Sequence, residues 1–537
     1  MIRHALRSLK RTPVFTAAVV LTLALGAGSV GAMFTVVYGV LLAPLPYGRP
    51  ARLVSVALQT PELRRMQQSP AFYYTYTRFA RRLADLGFYR TGNANIWTKD
   101  DGDAPERVTA TWVTASTIRL LEVKPLLGRT FTNEETRVNA PNVAVLSESV
   151  WRTRFDGARD VIGRTLIVNS VPREIIGVMP DGFSFPTPDT RLWLPVRLDP
   201  SATVVGDFAY TGVARLADGA TPEDAQRELS RILPRIAESF PRLESGAATQ
   251  TWLDETKPAA VVTPLREEVT SGIARTLLIL AAGAGLVLLV AWANVANLLL
   301  IRADGRQLEI AVREALGASR LRIMTHFLGE SAVVGAIAGV LALLAAWGAV
   351  HALVVFQPAD VPRLAELHIG PATVAFVVLV TLVGAVICTG VPAVRLRRAS
   401  LAINLRDGAR GDTAGKTRQR LRASIAALQI AVALVVSAGS VLLLRTFQRL
   451  YDERPGFDAE QVVTIWTQLP FARYGDSASV AFYGRLGERV GAIPSVRAAG
   501  LTTLVPLGAG ERREQSFFVA GAGREVSLPV TVVDGGY

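Results

Sequence analysis

The apolar positions of this chain gather into five long runs separated by mixed segments. Val14 to Val40, Thr276 to Ile301, Ser331 to Phe356, Gly370 to Val394 and Ala423 to Leu444 contain no Lys, Arg, Asp or Glu. Crossing a hydrocarbon core of about 30 Å takes ~20 apolar residues in a helix, so each run predicts a membrane span. Buried helices of a large soluble protein rarely need charge-free runs of this length. The first run also exceeds a signal-peptide core of ~7–15 residues, and no convincing small-residue cleavage site follows it. It reads as an anchor that stays.

Between the first and second runs the pattern shortens and predicts a mixed α/β domain over 45–270. Arg52 to Leu58 reads as a strand and Pro70 to Leu86 as a helix. Arg107 to Val113 and Asn142 to Leu146 read as strands, and Leu166 to Val178 as a hairpin turning at Asn169-Ser170. Thr221 has the character of an N-cap with Asp224 at the third helical position, opening an amphipathic helix toward Phe240.

Charge then orients the spans. Residues 1–13, 302–325 and 395–422 together carry 18 basic and five acidic residues, an excess equal to the net +13 of the 537-residue chain. All three segments flank spans, where such an excess marks the cytoplasmic side. With five spans and a cytoplasmic N-terminus they all fall inside, and 45–270 and 447–537 fall outside. Nucleic-acid binding, which a basic balance alone suggests, becomes the weaker reading.

The chemistry is sparse. Cys388 is the only cysteine and lies in the fourth run, which excludes an intramolecular disulfide and a cysteine metal site. His4, His326, His351 and His368 all lie outside 45–270 and 447–537. A His-based triad or His-ligated zinc is therefore excluded from the outer segments. Asp100, Asp101 and Asp103 around Gly102 read as a solvated hairpin turn, since calcium-loop spacing is absent. Gly411-Asp-Thr-Ala-Gly-Lys-Thr417 has three residues between its glycines where a phosphate loop needs four, and no strand precedes it. No catalytic residue, cofactor or metal is expected.

In the second span and its loop, Asn294-Val-Ala-Asn-Leu-Leu-Leu-Ile-Arg302 leads through Arg306-Gln-Leu-Glu-Ile-Ala-Val-Arg313 to Ala315-Leu-Gly-Ala-Ser-Arg320, and Gly329-Glu-Ser331 follows. Ile176-Gly-Val-Met-Pro-Asp-Gly-Phe183 precedes Trp193-Leu-Pro195 in the outer domain. The start, Leu6-Arg-Ser-Leu-Lys-Arg-Thr-Pro-Val-Phe-Thr16, and Pro455-Gly-Phe457 complete the series. In this order the motifs resemble MacB-family ABC transporters, with a MacB-like periplasmic core and FtsX-like permease domains. The nearest subgroup is that of duplicated, ADOP-type permeases without a fused ATPase.

The resemblance implies a multi-spanning α-helical membrane protein with a large mixed α/β periplasmic domain. The expected plan is a cytoplasmic N-terminus (1–13), a first span (14–44), the periplasmic core (45–270) and a three-span FtsX-like module (272–395). A basic linker (396–422), a fifth span (423–446) and an incomplete second periplasmic domain (447–537) follow. A loose internal echo supports a second repeat: Arg107 to Ser116 resembles Leu528 to Tyr537, each after a span and an outer segment. The chain is accordingly expected to be part of a longer two-repeat protein.

The family mechanism implies a separate cytoplasmic ABC ATPase as partner, the lipid bilayer as environment, and a second permease repeat or subunit. The expected cargo is a drug, peptide or lipoprotein. Glu309, Arg313, Gly317, Ala318 and Arg320 are the candidate ATPase-contact loop: Gln307 to Leu316 reads as a short amphipathic helix stopped at Gly317. Asn294, Asn297, Glu330, Gly335 and Gly339 are candidates for packing between spans, as are the Ala27/Gly31 and Ala281/Gly285 pairs. A membrane-anchored scaffold or ligand sensor is the alternative.

Overall fold

The computed structural model describes residues 12–98, 105–305, 320–356, 363–364, 367–398, 413–452, 462–465, 467, 469, 474–502, 513–519 and 524–530. The first apolar run forms helix α1 (Pro13–Val37), entered through Pro13 and continued by a π-helical turn, Tyr38–Leu42. The outer domain follows with β1 (Leu53–Gln59), α2 (Pro70–Phe79), β2 (Leu83–Trp97), β3 (Glu106–Val113), α3 (Ala115–Leu121) and β4 (Leu127–Gly128). It continues through β5 (Val143–Ser147), α4 (Glu148–Phe155), β6 (Thr165–Val168), β7 (Val171–Met179), β8 (Thr190–Pro195) and β9 (Thr211–Leu216). Its last elements are α5 (Pro222–Ile232), α6 (Ile236–Ser239), α7 (Thr249–Thr256) and β10 (Ala259–Pro264).

The strand and turn expectations hold to within a residue or two, with one correction. The helix expected to reach Leu86 stops at Phe79, because Leu83 onward pairs with β9 instead. The Asn169-Ser170 turn has φ of 49° and 65°, the doubly positive pattern of a tight hairpin turn. The Thr221/Asp224 capping box is present. Its helix ends at Ile232, and Pro234 lies in a 3₁₀ turn before the chain resumes as α6.

All ten strands of this domain belong to one sheet, and β2 is the reason it has two parts. The first half of this 15-residue strand pairs with β9 and extends the antiparallel array β10-β1-β9. Its far end turns to β6, which also pairs with β7, so the order β2-β3-β8-β5-β7-β6 closes on β2 as a six-stranded barrel. Ala94, Ile96, Ala110, Leu146, Leu166 and Leu192 fill it. Phe72, Tyr76 and Leu229, from α2 and α5, cover one face of the open array. The opposite core contains Ile118, Leu121 and Trp193 together with Leu45 and Leu265, the residues through which the chain enters and leaves the domain.

Beyond it run α8 (Leu265–Gly305), α9 (Arg320–Phe356), α10 (Pro371–Arg398) and α11 (Thr413–Asp452). Among the described residues, four helical stretches are long and apolar enough to cross a membrane: Pro13–Leu42, Leu265–Leu299, Ala332–Phe356 and Ala426–Arg449. The fourth expected run falls in α10, whose described apolar stretch, Pro371–Ile387, is shorter than the other four. Helix α1 packs between α8, α9 and α10 through Val19, Leu23, Ala27 and Val36. Helix α11 has no buried residue in its apolar window. It is followed by α12 (Asp476–Gly491) and a hairpin of β11 (Arg513–Val519) and β12 (Arg524–Val530). Span, helix and antiparallel hairpin thus recur in the order of α1, α2 and β2–β3.

Candidate functional site

A densely hydrogen-bonded segment lies where the spans meet the outer domain, at residues 42–52. A helix end leaves its last carbonyls without partners inside the helix. Here arginines from elements distant in sequence supply the donors. Arg266, in the first turn of α8, donates to the Leu42 carbonyl at 3.2 Å. Arg363, between α9 and α10 and 7% exposed, donates to the carbonyls of Ala43 and Pro44, each at 3.0 Å. Guanidinium groups suit this position because they carry several donors in a plane and a positive charge toward the negative helix end.

A few residues on, Arg215 of β9 ties the same segment to the domain core. It is 4% exposed. Its Nε donates to the Leu120 carbonyl at 3.0 Å, Nη2 to Gly48 at 2.6 Å and Nη1 to Arg49 at 3.1 Å. Glu122 lies 3.5 Å from Arg215 and pairs with Arg49. The Arg49 hydrogen bond, joined by the nearby charges of Arg215 and Arg52, holds the Glu122 carboxyl below its usual range. The Gly48 N–H donates to Leu121 at 2.9 Å, closing the segment onto the end of α3. A second tie joins α8 to β1: Arg65 pairs with Glu268 at 2.6 Å and donates to Ser55 at 2.7 Å.

Arg215, Arg363 and Arg266 carried no signal in the sequence. Each is an isolated cation, and its main partners are backbone carbonyls, which every residue has. Of the candidate ATPase-contact residues, Glu309, Arg313, Gly317 and Ala318 lie outside the described residues, and Arg320 opens α9. Asp100, Asp101 and Asp103 also lie outside them, between the paired ends of β2 and β3.

The packing candidates divide. A Cβ on Gly31 would stand 2.6 Å from Val377, and Ala27 is buried. Gly335 and Gly339 face Ala385 and Thr381 of α10, where an added Cβ would stand at ordinary contact distances of 3.6–3.7 Å. A Cβ built on Gly285 would meet nothing within 4 Å, so the expectation of close approach fails at that half of the Ala281/Gly285 pair. Glu330 is buried, Asn297 half-buried and Asn294 exposed on α8. No hydrogen bond from either asparagine side chain to another span occurs among the described residues. No group of acidic, His or Cys side chains able to hold a metal occurs among the described residues.

An α/β domain whose core takes in Leu45 and Leu265, on a helix bundle tied to it by arginines, defines a membrane protein with a large domain outside the bilayer. Comparison with known proteins places it further. Residues 16–232 match the MacB-like periplasmic core domain, and residues 281–401 match the FtsX-like permease C-terminal domain. The chain thus carries two modules similar to those of MacB/FtsX-type ABC permeases. It is 27% identical over 221 residues to the macrolide export ATP-binding/permease protein MacB of Bdellovibrio bacteriovorus, covering 41% of this chain and 32% of that one. It is also 27% identical over 220 residues to MacB of Escherichia coli K12, covering 40% of this chain and 31% of the relative. The match therefore spans about a third of the length of these curated relatives. The crystal structure of the periplasmic region of MacB from Actinobacillus actinomycetemcomitans is similar at a TM-score of 0.31 and 13% identity. That alignment covers 42% of this chain and 93% of the other.

Proposed function

We propose that this chain is the permease part of an ABC-type assembly, transmitting the motion of a separate cytoplasmic ATPase to its periplasmic domain. The observation that carries this reading is the junction at residues 42–52. Leu45 and Leu265 are built into the core of the outer domain, and Arg215, Arg266 and Arg363 fix the exit of α1 to it and to the other spans. Strand β10 runs into α8 without a loop. Helix α8 has 41 residues and extends about 60 Å, roughly twice the hydrocarbon thickness. A displacement at its far end would therefore reach the sheet through one continuous helix.

Glu309, Arg313, Gly317, Ala318 and Arg320 follow that far end and are the proposed ATPase contact. Replacing Glu309 and Arg313 together with alanine is expected to reduce co-purification of a nucleotide-binding subunit several-fold from native membranes in mild detergent. Unchanged recovery would remove the contact from the proposal. Reproducible absence of any such subunit with the unaltered chain would favour the scaffold or sensor reading.

The proposed topology has five passes with the N-terminus inside. A cysteine at Ser184 in a Cys388→Ala background is expected to react with a membrane-impermeant thiol reagent in cells with a permeabilised outer membrane. One at Thr413 is expected to remain protected. The reverse pattern would overturn the orientation. Export or extraction of a drug, peptide or lipoprotein is the proposed outcome of the cycle. The recurring order of span, helix and hairpin after α11 supports a second permease repeat.

A further inference from the structure

Where β8 ends and β5 begins, Arg197 lies near enough to Arg173 of β7 for the two charges to act on each other. Arg197 donates through Nη2 to the carbonyls of Ala140 and Pro141 at 2.6 and 3.1 Å, and to the side-chain oxygen of Asn142 at 2.9 Å. The Asn142 carbonyl accepts from the Glu174 N–H at 2.8 Å, so the same residue fixes the start of β7, where Arg173 lies. Arg173 shares its strand face with Ile175, a member of the barrel core, and is half-buried.

Arg173 differs from the arginines around it. Arg129 meets Glu135 at 2.7 Å, Arg152 meets Glu148 at 2.6 Å and Arg154 meets Glu106 at 2.6 Å. Among the described residues Arg173 meets no carboxylate, and its buried Nε has no hydrogen-bond partner. Glu174 does not neutralise it, since alternate residues of a strand face opposite ways and Glu174 is exposed. Burial, and then the positive charge of Arg197, pull the Arg173 guanidinium down to about 10, which leaves it a cation at neutral pH. A desolvated cation beside a second cation is unfavourable unless an anion joins them.

We propose that Arg173 and Arg197 form an oxyanion-binding site at this end of the barrel, for a carboxylate or phosphate group carried by a ligand. The chemistry follows from the donors. Guanidinium groups present planar forks that match both anions, and such charge-assisted bonds are stronger than neutral ones. Arg197 is anchored through one nitrogen, which leaves its other donors for the ligand.

The test uses the purified full chain in detergent, titrated with sodium phosphate or sodium acetate against sodium chloride at constant ionic strength. Phosphate, acetate or both are expected to raise the melting temperature and to bind by calorimetry, and the stronger of the two assigns the ligand group. Arg173→Gln and Arg197→Gln are expected to weaken binding at least tenfold. Arg173→Lys should retain part of it, and Arg191→Gln, an exposed arginine of β8, should leave it unchanged. In chloride alone Arg173→Met is expected to melt at or above the unaltered chain, because the uncompensated charge is gone. A purely structural arginine would lower melting in every buffer, and that result would overturn the proposal. So would equal responses to all three anions, or full binding by Arg173→Gln.

Discussion

Replacing Arg215 by methionine is expected to destabilise the junction between the spans and the outer domain by about 3–5 kcal/mol. Methionine keeps much of the side-chain volume but none of the donors. The carbonyls of Leu120, Gly48 and Arg49 would lose the group that satisfies them at a position 4% exposed, and Glu122 would lose one of the cations beside it. Lysine keeps the charge without the fork and should fall between the two. Hydrogen exchange on the full chain in detergent is the direct measurement. Protection of the Gly48 N–H, bonded to Leu121, should drop by two orders of magnitude or more, while the barrel strands keep theirs. Unaltered protection at Gly48 would show that Arg215 does not hold the junction. The functional proposal adds a second expectation: a loosened junction should uncouple ATP hydrolysis by the partner from movement of the outer domain.

The second large effect is expected at Gly28. A Cβ there would lie 3.0 Å from the Ala345 Cβ, 3.1 Å from the Ala342 carbonyl oxygen and 3.5 Å from the Ala342 Cα. Two of these three atoms are backbone, so no side-chain rotation relieves the contact. Leucine at this position must push α1 away from α9, at a cost of about 1–3 kcal/mol or more. Unfolding by increasing SDS in mixed micelles should report the loss. Gly283→Leu provides the comparison, since a Cβ built there would meet nothing within 4 Å and a leucine should be nearly silent. Equal effects at the two positions would mean that helix propensity, and not packing against α9, determines the response.

These two positions illustrate what could be read from the chain. Small residues four apart mark many places where helices could approach, and Ala27/Gly31 and Ala281/Gly285 looked alike. Gly31 meets a neighbouring span and Gly285 does not, because α1 is central to the bundle while open space lies beside Gly285. Gly26 and Gly28 went unmarked, although a Cβ on Gly26 would stand 2.7 Å from Ala291. The Thr221 cap was legible because its two hydrogen bonds join residues three apart. The false extension of α2 to Leu86 has the opposite cause. Residues 80–86 are compatible with either state locally, and pairing with β9, more than a hundred residues away, decides for strand.

The sequence by itself determined that this protein spans a membrane and which permease modules it resembles. Hydrocarbon offers no hydrogen-bonding partners, so a span must be written as one continuous apolar run, visible without any structure. The motif order of the permease modules is likewise linear. Only the tertiary structure decided that β2 closes a barrel, that Leu45 and Leu265 belong to the outer core, and that Arg215, Arg266 and Arg363 clamp the exit of α1. Those features join residues up to 320 positions apart, largely through backbone groups that every residue carries, and such partners leave no trace in the order of side chains.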